Sequence, residues 1–152
     1  MWVPLLLGSA LVVGNMAIQI FVMLFVIGLL MRRAEQSPER SRLLYKTRTL
    51  GTVVLVLFLG HVLQFATWAA LFVYIGEFQD FETAFYHSAI NFTSLGYGDI
   101  VMSAPWRLLG GLEAANGVLM FGLSAGAILS VMTWVLKHSQ PDITKQSGDR
   151  GE

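Results

Sequence analysis

The chain has 152 residues, of which 55% are hydrophobic and only 13% charged, and its ten basic and ten acidic side chains cancel. Soluble domains carry about 25% charged residues, so this composition excludes a soluble globular domain and marks a membrane protein. The absence of cysteine excludes a disulfide framework, a thiolate nucleophile and a cysteine metal site.

Three apolar runs are long enough for a hydrocarbon core that needs roughly 20 helical residues. The first, residues 5–31, opens in "MWVPLLLGSALVVGN" with no basic residue ahead of it, and it exceeds the roughly 7 to 15 apolar residues of a signal peptide. Residues 1–31 are therefore expected to hold a retained transmembrane helix. A connector, residues 32–49, carries Arg32, Arg33, Arg40, Arg42, Lys46 and Arg48 against Glu35 and Glu39. The second run predicts an outer helix over 50–75. Beyond it, "DFETAFYHSAINF" places Phe81, Ala84, Phe85, Ala89 and Phe92 close to helical spacing, with Asp80 positioned as a cap and Glu82 in the first turn. A short helix is predicted over 81–93. At 1.5 Å per residue it reaches roughly 18 Å, only part of the hydrocarbon thickness, so it must enter and turn back. The "TSLGYGD" that follows must then be walled by protein or line a watery path, because lipid offers bare N–H and C=O groups no partner. The third run predicts an inner helix over 106–136. The polar remainder, 137–152, is expected to be a mobile tail, too small to form a soluble ligand domain.

Lysines and arginines in short loops set orientation. The basic connector, with Lys137, Lys145 and Arg150, predicts a cytoplasmic side. The loop between the second and third runs holds Glu77, Asp80, Glu82 and Asp99 against Arg107, so it and the N-terminus are expected outside.

The stretch "TSLGYGDI", residues 93–100, resembles the selectivity filter of potassium channels. That family's pattern is Thr-Val-Gly-Tyr-Gly-Asp, set between an outer helix with a pore helix and a glycine-bearing inner helix. The resemblance covers residues 50–136 and leaves the first helix outside it. It implies a pore module of outer helix 50–75, pore helix 81–93, filter 94–99 and inner helix 106–136. It also implies that potassium ions meet backbone carbonyls of Ser94, Leu95, Gly96 and Tyr97, with Thr93 and Gly98 completing the ion-binding stretch. The Ser94 hydroxyl would complete the innermost site, Tyr97 would brace the filter from behind, and Asp99 would anchor its outer mouth. The residue types suit such chemistry. Rings of carbonyls replace the ion's water shell, and pointing successive carbonyls one way requires alternating backbone handedness, which Gly96 and Gly98 permit. Two positions depart from the pattern: Ser94 keeps the oxygen of threonine but loses its β-branched stiffness, and Leu95 replaces valine.

The inner run carries small residues at Gly110, Gly111, Gly117, Gly122, Gly126 and Ser130, which let helices approach closely. Gly117 is the candidate gating hinge, and equally a packing glycine. Glu113 is an intramembrane carboxyl that supports the filter through the pore helix, raises local potassium concentration, or stays neutral and hydrogen-bonded. Asn116, His61, Gln64, Asn15 and Gln19 are expected to bond between helices rather than to ligands. His87 is expected in a hydrogen-bonded aromatic setting. "GLSAG", residues 122–126, matches a nucleophile elbow in letters only, since that motif needs a strand, a sharp turn and a helix. "NFT", residues 91–93, would sit at the buried end of the pore helix and should not be glycosylated. No span carries arginine at every third position, so a voltage sensor of the usual kind is not expected.

The expectation is an all-α membrane protein, assembled as a homotetramer because each chain offers one filter loop and the pore needs four. It would sit multi-pass in the plasma membrane, or the inner membrane of a bacterial cell, among membrane lipids. Nothing suggests an enzyme, a cofactor or a nucleic-acid partner; potassium would be the permeant ion. A poorly selective cation channel, and a non-conducting scaffold or accessory subunit, are the alternative readings.

Overall fold

The computed structural model describes residues 2–34 and 42–137, and all regular structure there is helical. The order is α1 (Trp2–Ala34), α2 (Arg42–Tyr74), α3 (Phe81–Phe92) and α4 (Arg107–Lys137). Three stretches are long and apolar enough to cross a membrane: Trp2–Arg32, Lys46–Tyr74 and Arg107–Trp134. Together with the composition, they make the chain a multi-pass membrane protein.

The outer helix begins eight residues earlier than its apolar run suggests. Residues 42–49, assigned from sequence to the connector, continue α2. "RLLYKTRTL" contains no proline or glycine, and arginine, leucine and lysine are strong helix formers, so nothing stops the helix at the polar boundary. Arg40, the rest of the connector from 35 to 41, and the tail with Lys145 and Arg150 lie outside the described residues.

α2 stops by a Schellman motif. The N–H of Glu77 reaches the Phe72 carbonyl at 2.9 Å, and that of Gly76 reaches the Val73 carbonyl at 3.0 Å. Gly76 sits at φ +75°, the left-handed geometry this cap requires. α3 starts as its sequence dictates: the Asp80 carboxylate accepts from the Thr83 N–H at 2.7 Å and the Thr83 hydroxyl at 2.9 Å. Those bonds hold the Asp80 carboxyl below its ordinary range.

Two apolar clusters hold the helices together. Near α3, the buried side chains of Phe65, Trp68 and Phe72 on α2 meet Ala84 and Phe92 on α3 and Leu109 and Met120 on α4. Toward the other end, Val26 of α1, Val53 and Leu57 of α2 and Val131 of α4 form a smaller aliphatic core. α1 packs on α2 and α4, and α3 likewise packs on α2 and α4. Glycines admit α1: a Cβ on Gly8 would lie 3.0 Å from Leu109 Cδ2, and one on Gly60 3.0 Å from Val22 Cγ2. Large apolar side chains such as Phe21, Leu55, Phe58 and Leu129 remain exposed, as lipid-facing surfaces do.

The polar residues within the spans meet between helices. Gln64 Nε2 donates to Gln19 Oε1 at 2.9 Å, Gln19 Nε2 donates to Ser124 Oγ at 2.9 Å, and the Thr67 hydroxyl donates to Asn15 Oδ1 at 2.8 Å. His61 Nε2 lies 3.0 Å from Ser124 Oγ. Four of the five residues expected to bond between helices do so. Asn116 does not: both polar atoms of its fully buried side chain lack a partner among the described residues.

Candidate functional site

The site is built where α3 ends. Thr93 is its C-cap, and the Thr93 hydroxyl donates to the carbonyls of Ala89 (2.8 Å) and Ile90 (3.0 Å). The termination is again a Schellman motif: the Leu95 N–H reaches the Ile90 carbonyl at 3.0 Å and the Ser94 N–H reaches that of Asn91 at 2.9 Å. Here the left-handed position is filled by Ser94, at φ +58°. From sequence, left-handed backbone is expected at the glycines alone; the cap adds a third such residue.

From Ser94 onward the handedness alternates. Ser94, Gly96 and Gly98 have φ of +58°, +54° and +75°, while Leu95 and Tyr97 between them stay at negative φ. Alternation of this kind turns successive peptide units so that their carbonyls share one side of the strand, a ladder of oxygens that needs no side-chain ligand. Every residue from Thr93 to Asp99 is exposed in the single chain, including Leu95 at 55% and Tyr97 at 68%.

Three sets of polar contacts fix the loop and the helices around it. The Tyr86 hydroxyl on α3 donates to Asp99 Oδ2 at 2.7 Å, which keeps the Asp99 carboxyl below its ordinary range. The carboxylate of Glu77, just past α2, accepts from the Ser103 N–H at 2.5 Å and the Ser103 hydroxyl at 2.8 Å. At the inner end, Asn91 Nδ2 donates to both the Gly110 carbonyl and Glu113 Oε2, each at 2.8 Å. A cavity of about 400 Å³ lies between the loop and the helices, lined by Tyr86, His87, Asn91, Asp99 and Arg107 among others.

Glu113 thus lies fully buried at the junction of α3 and α4. Its Oε1 has no hydrogen-bond partner among the described residues, and neither has the buried Ser88 hydroxyl, which lies within electrostatic reach of it. His87 sits in an aromatic box, its ring stacked on Phe72 at 5.6 Å and edge-on to Phe78 at 5.0 Å. Gly117 is in close contact rather than in free space. A Cβ there would overlap the Phe92 carbonyl oxygen and lie 2.7 Å from its carbon, so α4 crosses the end of α3 backbone to backbone. A Cβ on Gly122 or Gly126, by contrast, would meet nothing within 4 Å.

Sequence reasoning singled out Asp99, Glu113 and Gly117 but not the residues that engage them. Tyr86 and Asn91 lie five residues apart on α3, on faces that meet Asp99 and Glu113 respectively. The available signal was polarity: beyond the polar first turn, Tyr86, Ser88 and Asn91 are hydrogen-bonding side chains among the phenylalanines, alanines and isoleucine of the helix. Glu77 and Ser103 are 26 residues apart, and only the folded loop brings them together.

The chain matches the model of the family described as Ion channel over residues 51–133, more than half its length. No curated protein and no solved structure matches it.

Proposed function

The chain belongs to the ion channel family, in its two-helix, potassium-channel-like form, and from that premise we propose that four copies form a pore conducting potassium passively through the loop 93–99. The observation that carries this reading is the alternating backbone of Ser94, Gly96 and Gly98 in a fully exposed loop. In one chain the loop has a wall on one side only. Four copies around an axis would close the other side, giving the bare carbonyls a cation in place of water.

In this reading Ser94, Leu95, Gly96 and Tyr97 offer the ion-facing carbonyls, and Thr93 and Gly98 extend the stretch. The Thr93 hydroxyl is engaged by its own helix, so its side chain serves the cap rather than the ion. Asp99 anchors the outer mouth through Tyr86. Glu113 supports the inner end through Asn91. α3 directs its C-terminus, the negative end of its dipole, toward the entrance of the loop, where a cation is stabilised. Gly117 permits the close crossing on which any bend of α4 would pivot. The basic connector and tail support an N-terminus outside and a C-terminus in the cytoplasm, and the membrane would be the plasma membrane or, in a bacterial cell, the inner membrane.

The test is purified protein in potassium-loaded vesicles, with potassium and sodium gradients compared. Barium-sensitive potassium flux that exceeds sodium flux is expected. Equal fluxes would leave a poorly selective cation channel, and no flux a non-conducting scaffold. Native mass measurement should give four chains; a dimer or trimer would sink the shared-axis geometry independently.

A further inference from the structure

Four side chains near the junction of α2, α3 and α4 are fully buried and yet carry polar atoms with no hydrogen-bond partner among the described residues. They are Trp68 (Nε1) on α2, Ser88 (Oγ) on α3, and Glu113 (Oε1) and Asn116 (both ends of its amide) on α4. Buried polar groups are nearly always bonded, and an unmet one is costly, so this cluster asks for a ligand.

The four belong to one neighbourhood. Ser88 lies within electrostatic reach of the Glu113 carboxyl, although no direct hydrogen bond joins them. Asn116 follows Glu113 by three residues, the adjacent position on the same helix face. Trp68 belongs to the buried cluster that contains Leu109 and Met120, which bracket Glu113 and Asn116 along α4. Asn91 holds Glu113 Oε2 from α3, and Gly117 lies against the Phe92 backbone, so Asn116 falls between two points at which α3 and α4 are clamped.

Position rules out several partners. A second copy of the chain cannot reach these atoms, because each is already shielded within the single chain, unlike the exposed loop 93–99. Lipid chains offer neither donor nor acceptor. A proton on Glu113 Oε1 would give Ser88 a partner and still leave the Asn116 amide unmet. What fits is a small molecule that both donates and accepts. Trp68 offers one N–H, Asn116 two N–H and an acceptor oxygen, Glu113 an acceptor, and Ser88 either; a buried water makes about three such bonds. Supply is close at hand, since Asn91 both lines the cavity of about 400 Å³ behind the loop and bonds Glu113.

We propose that this junction is a water-binding site. One or two ordered waters join Glu113 Oε1 to Ser88, Asn116 and Trp68, and with Asn91 they seat α4 against α3 just before the Gly117 crossing. The site lies within one chain, so it stands apart from the channel reading and from the number of copies.

The test is a structure of the full wild-type chain in lipid nanodiscs, at a resolution that shows ordered water. Density is expected for at least one water at hydrogen-bond distance from Glu113 Oε1 and from one or more of the other three side chains. A dry junction overturns the proposal, including one in which Asn116 and Trp68 turn to bond each other. Melting in detergent supplies a second measurement. In a wet junction Asn116→Leu strands the other partners of the water, and the melting temperature should fall by roughly 2–4 °C. An unchanged or higher melting temperature, the result of removing an amide that had no bonds to lose, overturns the proposal. Ser88→Ala should also lower it, and because the two residues share water, the double variant should fall by less than the sum of the single ones; strict additivity overturns the shared site. A chain that holds the water but carries no potassium flux removes the channel reading and leaves this proposal standing.

Discussion

α2 and α3 end in the same hydrogen-bond pattern with different residues at the left-handed position: Gly76 after α2 and Ser94 after α3. Glycine adopts that conformation freely, whereas an L side chain there costs about 1–2 kcal/mol. The first turn has only a structural task, to send the chain back toward α3, and it uses the residue that costs least. At the second, a less favourable residue stands where the alternating loop begins, and what it brings is a hydroxyl at the entrance of that loop. The contrast locates where stability and function draw on the same residue.

The strongest way to break this comparison is to extend it one residue pair further. Gly96→Ala puts a Cβ on a left-handed backbone with no cap to hold it, and conduction should be lost entirely in the vesicle assay while the folded protein remains. Next in size is Gly117→Ala, whose Cβ would enter the Phe92 backbone beneath the second cap. Overpacking of this kind costs about 1–3 kcal/mol, and thermal unfolding in detergent should shift down accordingly. The caps themselves should then move in opposite directions. Gly76→Ala should destabilise by about 1 kcal/mol and Ser94→Gly should stabilise by about as much, yet only Ser94→Gly should change conduction; an unaltered current with Ser94→Gly would remove the functional half of the contrast. Smaller again is Tyr86→Phe, which deletes one exposed hydrogen bond to Asp99 and should shorten openings without changing the permeant ion.

The smallest expected effect is one of pH. The Tyr86 hydrogen bond depresses the Asp99 pKa from 3.8, so the contribution of that anchor is present above 3.8 and disappears only as pH falls through the lower folded-state value. External pH between 8 and 5 should therefore leave the Asp99-dependent part of the current unchanged, as shown by the difference between wild type and Asp99→Asn across that range.

The short helix, its Asp80 cap, the glycines of the loop and the three spans were all legible because each is written in neighbouring residues: periodicity, a capping side chain, run length. The polar residues of the spans were legible too, since Asn15, Gln19, His61 and Gln64 in hydrocarbon must find partners. Their pairing was not, because Gln19 and Ser124 are 105 positions apart and nothing local links them. Ser124 was visible only inside "GLSAG", a motif that helical context had ruled out as catalytic. The left-handed serine was hidden by the glycines beside it. The start of α2 was misplaced because hydropathy reports where lipid ends, not where a helix does.

That last discrepancy has a mechanical side. α2 is 33 residues long, about 50 Å at helical rise, against a hydrocarbon thickness of about 30 Å, so it is a lever longer than the hydrocarbon is thick. Side-chain bonds fasten it to α1 at two levels, Asn15 with Thr67 and Gln19 with Gln64. A tilt of about 10° would carry its N-terminal end roughly 9 Å sideways at that length. A thinner or thicker bilayer, which helices accommodate by tilting, would be felt along the whole arm and delivered to its short end, where Phe72 and the turn to Glu77 abut the loop.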